Sequence, residues 1–183
     1  MSSEIKTLAS RKRSAARLAA VQAIYEMDLA GATADAIIAA FLKDRWFETK
    51  EGPALAEPDA AHFAAVLRGV AARRDALDVA VNDALAQRRQ VDRLEILLRA
   101  ILRAGAYELS ACRDIPTKVV INEYLEVAHA FFGGKEPALV NAVLDRMAAG
   151  LRADEVSSTA PSPDEGDGRV AAAADTSDGG RGS

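Results

Sequence analysis

Apolar residues recur along much of this chain at spacings of three and four, the period of a helix with one buried face. In the first segment Leu18, Val21, Tyr25 and Leu29 fall on one stripe. The stripe predicts a helix capped by Ser10, running to about Asp28 and closed by Gly31. A second helix fits from about Ala34 to Phe47, with Ile38, Leu42 and Trp46 in one row and Ile37 and Phe41 beside it. Trp46 reads as a core plug, and residues 48–57, with Gly52 and Pro53, read as a polar loop. Pro58 is placed to open a third helix, whose face of Phe63, Val66, Leu67, Val70, Leu77 and Val81 continues to about Ala86. The pattern leaves open whether that helix breaks at Arg73-Arg74-Asp75. Gly69 within it has no capping role and predicts a close approach of helices.

The stretch from Leu94 to Met147 carries the strongest periodicity. After a polar connection at residues 87–90, Asp92 and Glu95 have capping-box spacing and predict a helix start near Arg93. Leu94, Leu97, Leu98, Ile101, Leu102, Gly105, Ala106 and Leu109 make a face wide enough for a central helix. Arg99 and Arg103 lie on the narrow remaining face, either salt-bridged or as a basic stripe. Asp114-Ile115-Pro116 ends this helix, because a residue before proline disfavours the helical region. Pro116 opens the next, with Lys118 in its first turn. Val120, Ile121, Tyr124, Leu125, Ala128, Phe131 and Phe132 form its inner side, and Asn122, Glu123, Glu126 and His129 its outer side. Gly133 or Gly134 is expected to supply a left-handed end. A last helix starts at Pro137 with Leu139, Val140, Val143, Leu144 and Met147 on one face, and Asn141 beside it should find a polar partner if buried.

Alternation of β-branched residues at period two is scarce, so the expected class is all-α. Three segments follow: a flexible N-terminus at 1–9, a helical body at 10–152, and a tail at 153–183. The tail has no Ile, Leu, Met, Phe, Trp or Tyr and is expected to be disordered, since it cannot bury enough apolar area to offset its ordering entropy.

Charge changes the picture more than composition does. A net charge of −4 argues against a polyanionic partner. Yet the tail holds seven acids against two arginines, net −5, which leaves the body with 21 basic and 20 acidic groups, net +1. The densest basic cluster is Arg11, Lys12, Arg13 and Arg17. Placed at a helix start, such cations oppose the macrodipole at a cost of ~0.3–1 kcal/mol, a local conflict that favours phosphate contact over a merely solvated turn. Arg99, Arg103 and Lys118 are further candidates for a basic surface.

Other chemistry is sparse. Cys112 is the single cysteine and reads as a core thiol, so nothing demands an oxidising compartment. No apolar run approaches the ~20 residues of a membrane span, and the N-terminus lacks an apolar signal core. The chain is therefore expected to be cytoplasmic, with no membrane partner. His62 and His129 lack partners at metal-ligand spacing, and His62 reads as a surface residue. Glu123 and Glu126 read as a solvated helical face rather than an acid–base pair. There is no glycine-rich phosphate loop. No catalytic residue, metal site or cofactor is expected, and the chain does not read as an enzyme.

Three phrases in order resemble the NusB family of transcription antitermination factors: Arg103-Ala-Gly-Ala-Tyr-Glu-Leu109, Asp114-Ile-Pro-Thr-Lys-Val-Val-Ile-Asn-Glu123 and Val140-Asn-Ala-Val-Leu-Asp145. Arg17-Leu-Ala-Ala-Val-Gln-Ala-Ile-Tyr25 is similar to the family's opening segment. The resemblance covers roughly residues 10–150. It implies two small helical bundles packed together, about six or seven helices in all. It implies binding of the boxA element of nascent ribosomal RNA jointly with NusE, the ribosomal protein that doubles as a transcription factor. That pair would sit within an antitermination complex on RNA polymerase. By position, Arg13, Arg17, Arg103 and Lys118 match basic residues of the family, and Phe131 matches an aromatic that either stacks a base or packs in the core. Tyr25 and Asp92 fall in regions the family uses toward NusE. Ser14 and Ala15 interrupt the family's arginine run, while Thr117, Phe132 and Leu139 depart from its common residues. These departures keep a second reading in view, a module that binds NusE with little RNA specificity. The same resemblance makes a homodimer a further candidate state.

Overall fold

The computed structural model describes residues 2–45, 57–85 and 90–153. Seven α-helices form among them: α1 (Ser2–Ala30), α2 (Ala34–Ala40), α3 (Ala60–Ala72), α4 (Arg74–Ala84), α5 (Ile96–Ala111), α6 (Thr117–Phe131) and α7 (Glu136–Leu151). A π turn (Phe41–Arg45) extends α2, a 3-10 turn (Val91–Arg93) precedes α5, and no strand occurs among the described residues. Trp46, residues 48–56 of the expected loop, residues 87–89 of the connection and the tail from 154 onward lie outside the described residues.

Helix α5 is the centre. It packs against α1, α3, α4, α6 and α7. From Leu98 to Ala106 only Arg99 is not buried. That agrees with the wide apolar face read from Leu94 to Leu109. Helices α1–α3 form one group and α4–α7 the other, meeting where α1 and α3 lie on α5. Small residues let helices close both within a group and between the groups. A Cβ on Gly105 would sit 2.9 Å from both terminal methyls of Leu144, so α5 and α7 approach there because no side chain intervenes. A Cβ on Gly69 would overlap the ring of Tyr107, which accounts for a glycine inside α3. Phe41 and Phe63 stack with centroids 5.1 Å apart and join the end of α2 to α3.

Local signals mostly act as expected. Gly31, at φ +66°, ends α1 with its N–H on Met27 O at 3.0 Å. Thr33 Oγ1 accepts from Ala36 N–H at the start of α2, and Asp59 Oδ1 from His62 N–H at the start of α3. The continuous pattern from Phe63 to Val81 does break, at Arg73 (φ −122°).

Several boundaries differ. Helix α1 begins at Ser2, not Ser10, and Ser10 lies inside it with its carbonyl accepting from Ser14 Oγ. Residues 4–10 form an exposed helical extension. Pro58 stands one residue before the Asp59 cap instead of opening α3. Asp92 and Glu95 make no capping box, because residues 91–93 fold as a 3-10 turn and α5 starts at Ile96. Val91 N–H in that turn is instead satisfied by Asn82 Oδ1 at 2.8 Å. Helix α6 ends without a left-handed glycine, since Phe132 turns extended at φ −124°. Asn141 finds its polar partner one turn on, at Asp145 Oδ2, 2.8 Å away.

Candidate nucleic-acid interface

The expected basic cluster divides in two. Arg11, Lys12 and Arg13 remain on the surface of α1. Lys12 Nζ is 3.8 Å from Glu57 and Arg13 Nε is 4.0 Å from Asp59, both loose pairs between solvent-facing groups. Asp59 N–H donates to Lys12 O at 3.0 Å, which sets the start of α3 beside these cations. Because α1 starts at Ser2, the cations stand in its third turn and beyond. The unfavourable macrodipole, confined to the first turn, scarcely reaches them.

Arg17 is not on that surface. Its side chain is 2% exposed and lies in a buried polar knot. Nε and Nη2 donate to Glu108 at 2.9 Å each, and Nη1 stands 3.2 Å from Glu123. Glu108, itself fully buried, also accepts from Tyr124 Oη at 2.8 Å and faces His62 Nε2 at 2.9 Å. His62, expected at the surface, is thus drawn into the knot, and Glu123, expected on a solvated face, is half-buried against Arg17. Burial alone would raise the Glu108 pKa. Hydrogen bonds from His62 and Arg17, with the charge of Arg17, outweigh it and bring the carboxyl down to about 2. Burial lowers the Arg17 pKa, but its bond to Glu108 more than offsets this and the net shift is upward. The Tyr124 hydroxyl is pushed well above its ordinary value by burial and then by the Glu108 charge.

Arg103 is likewise withdrawn. It is buried and forks onto Asp78 at 2.6 and 2.7 Å, with Nη1 2.6 Å from Asp28. Arg74 Nη2 stands 2.9 Å from the second Asp28 oxygen, an ion pair off the line of a hydrogen bond. Of the two readings of the Arg99 and Arg103 face, the salt-bridged one holds for Arg103. Arg17 and Arg103 therefore do not present their guanidinium groups to a phosphate in this structure. They fasten α1 to α5 and α6, and α5 to α1 and α4.

The remaining candidates are accessible. Lys118 is exposed in the first turn of α6, on the outward side with Asn122, Glu126 and His129. Phe131 is 43% exposed. Its position continues the stripe of the buried Val120 and Tyr124, but it is the last residue of α6. Lys118 and Phe131 are thus ~20 Å apart along α6. The Arg17–Glu123 contact brings the middle of α6 to α1, so the cations on α1 and the two ends of α6 belong to adjoining elements. Thr117 is buried, and Phe132 and Leu139 are half-buried.

Tyr25 is 37% exposed, with Leu29 57% exposed one turn on. Asp92 is exposed in the 3-10 turn, and its carbonyl accepts from Arg99 Nη1 at 3.3 Å. Arg99 Nη2 also lies 4.0 Å from Asp28, three residues past Tyr25. Tyr25 and Asp92 therefore share one end of the body, ~18 Å along α1 from Arg13. On α1, the RNA candidates Arg11, Lys12 and Arg13 and the partner candidate Tyr25 occupy different stretches.

Sequence reasoning missed Glu108, Asp28, Asp78 and Arg152 as structural charges. Glu108 offered a signal, an acid set among the apolar positions Gly105, Ala106 and Leu109. Arg152, fully buried, offered none. Among the described residues no group of three His, Cys, Asp or Glu stands where it could hold a metal ion, and no helix is long and apolar enough to cross a membrane.

A family model described as the NusB family matches residues 14–149. Transcription antitermination protein NusB of Maricaulis maris (strain MCS10) is 44% identical over 146 residues, covering 80% of this chain and 91% of that protein. The protein of the same name from Bradyrhizobium sp. (strain BTAi1) is 43% identical over 148 residues, covering 80% and 87%. Among solved structures, T. maritima NusB superposes with a TM-score of 0.66 at 23% identity, over 79% of this chain and 96% of that one, a likeness of fold. Sequence match and helical architecture agree, and the chain belongs to the NusB family of transcription antitermination proteins.

Proposed function

We propose that this protein binds the boxA element of nascent ribosomal RNA together with NusE, within an antitermination complex on RNA polymerase. The observation that supports it best is the exposed run Arg11-Lys12-Arg13 on α1, joined through Arg17 and Glu123 to the helix that bears Lys118 and Phe131. Cations neutralise phosphates, and an exposed aromatic stacks an unpaired base, the two means by which single-stranded RNA is commonly held. Arg17 and Arg103 serve this surface indirectly, as positioning residues that hold its helices together. Tyr25, Leu29 and Asp92 form the proposed NusE-facing end. No catalytic step is assigned.

A second reading, a module that binds NusE with little RNA specificity, draws support from the burial of Arg17 and Arg103, which removes two cations from the surface. Titration of labelled boxA and scrambled RNA, with and without NusE, separates the two. The RNA reading expects a preference for boxA that NusE strengthens and salt weakens steeply. Equal affinity for both RNAs, with the NusE complex intact, would replace it by the second reading.

A further inference from the structure

The described body ends on a side chain tied to the central helix. Arg152 donates to Leu109 O at 2.8 Å, Ile115 O at 2.6 Å, Cys112 O at 2.8 Å and Glu108 O at 3.0 Å. The side chain of the same Glu108 holds Arg17. One residue of α5 thus stands between α1 and the point where residues 154–183 depart. Arg13 lies a single turn, ~5–6 Å, further along α1.

The two segments brought together have opposite charge. Residues 154–183 carry seven acids against Arg169 and Arg181, net −5. The exposed part of α1 carries Lys6, Arg11, Lys12 and Arg13 against Glu4, net +3. Of these cations, Lys12 and Arg13 have only loose carboxylate partners among the described residues, Glu57 at 3.8 Å and the half-buried Asp59 at 4.0 Å. Reach is ample. Asp154 and Glu155 lie two and three residues past Arg152, and Asp164, Glu165 and Asp167 come within fifteen residues. An extended chain gains ~3.3–3.6 Å per residue, against ~16 Å along α1 from Arg17 to Lys6. Tethering places the acids at millimolar-order effective concentration over the helix, well above what free peptide would supply.

We infer that the acidic segment 154–183 docks on the Lys6, Arg11, Lys12 and Arg13 face of its own chain and screens it until a stronger polyanion displaces it. The screening half rests on the RNA-facing reading of α1, and the docking half does not.

The test compares three full-fold proteins: the whole chain, the chain ending at Ala153, and the whole chain with Asp154→Asn, Glu155→Gln, Asp164→Asn, Glu165→Gln and Asp167→Asn. Backbone amide NMR spectra at low salt are expected to differ between the first and the other two at residues 4–17, independent of protein concentration. The differences should fade toward 0.5 M salt, on the order of a 4 Å screening length. Coincident spectra overturn docking, and differences that grow with protein concentration overturn docking within one chain. For labelled boxA RNA, both altered proteins should bind about threefold to tenfold more tightly than the whole chain at low salt. Equal RNA affinity overturns the screening. If no protein binds RNA while the spectra differ, the RNA reading fails and the docking stands.

Discussion

Arg17 and Glu108, 91 positions apart in the chain, hold each other through two hydrogen bonds of 2.9 Å inside the protein. Removing Arg17 leaves the buried Glu108 carboxylate with only the Tyr124 hydroxyl and His62 as partners. Arg17→Ala is expected to cost about 3–5 kcal/mol in urea unfolding. Arg17→Lys should recover part of this, because it keeps the charge but loses the planar fork. Arg13→Ala, at the surface, should stay within about 0.5 kcal/mol of the parent. A loss below 1 kcal/mol for Arg17→Ala would contradict the structural role, and RNA binding by that variant is interpretable only after its fold has been checked.

The same pair sets an acid limit. The Glu108 pKa is lowered in the folded protein from 4.5 to about 2. The unfolded state therefore binds its proton first as pH falls. The stability this carboxylate contributes is complete above about pH 5 and is lost progressively as pH falls toward 2, about 3 kcal/mol in all. Urea midpoints measured from pH 6 to pH 3 should fall more steeply for the parent than for Glu108→Gln. Parallel curves would show that Glu108 carries no such linkage.

Gly69 and Tyr107 make a sharper packing test. The ring of Tyr107 occupies the space a Cβ at residue 69 would need, and the Arg73 guanidinium stands 5.8 Å from its centroid. Gly69→Ala should destabilise by about 1–3 kcal/mol through displacement of that ring. In a Tyr107→Ala background the clash is gone, and the higher helix propensity of alanine should make the same change neutral or stabilising by up to about 1 kcal/mol. The same sign in both backgrounds would remove Tyr107 from the explanation.

On the proposed RNA surface, replacing Arg11, Lys12 and Arg13 together by alanine should reduce the slope of log affinity against log salt by about 2, roughly 0.7 for each phosphate no longer neutralised. Phe131→Ala should cost about 1–3 kcal/mol of binding with little change of that slope. Circular dichroism melts should be near the parent's for both, since none of these side chains belongs to the buried core. An unchanged salt slope in the triple variant would move the electrostatic contact elsewhere.

The helices were legible where one face is apolar over several turns. The breaks at Gly31 and Asp114-Ile115-Pro116 each had a local cause, and so they too could be read, whereas the continuous apolar face from Phe63 to Val81 left the break at Arg73 open. The charged interior could not. Arg13 and Arg17 differ by one turn and look alike in sequence, yet one faces solvent and the other a carboxylate on α5. What distinguishes them is a partner 91 positions away, and no local pattern contains it. Arg103 depends in the same way on Asp28 and Asp78, from two other helices. Phe131 presents the reverse case. Periodicity put it on the inner stripe, but that stripe is covered only where neighbouring helices extend over it. The start of α1 was missed because Ser10 offers a plausible cap and residues 4–9 are exposed and show no apolar stripe.

The hold of Arg152 on the last carbonyls of α5 gives the protein a fixed outlet. A fluorophore or fusion partner attached beyond residue 153 would depart from a point pinned to the middle of the molecule, not from a fraying helix end. Distances measured from it would then report what occupies α1, with little contribution from movement of α7 itself.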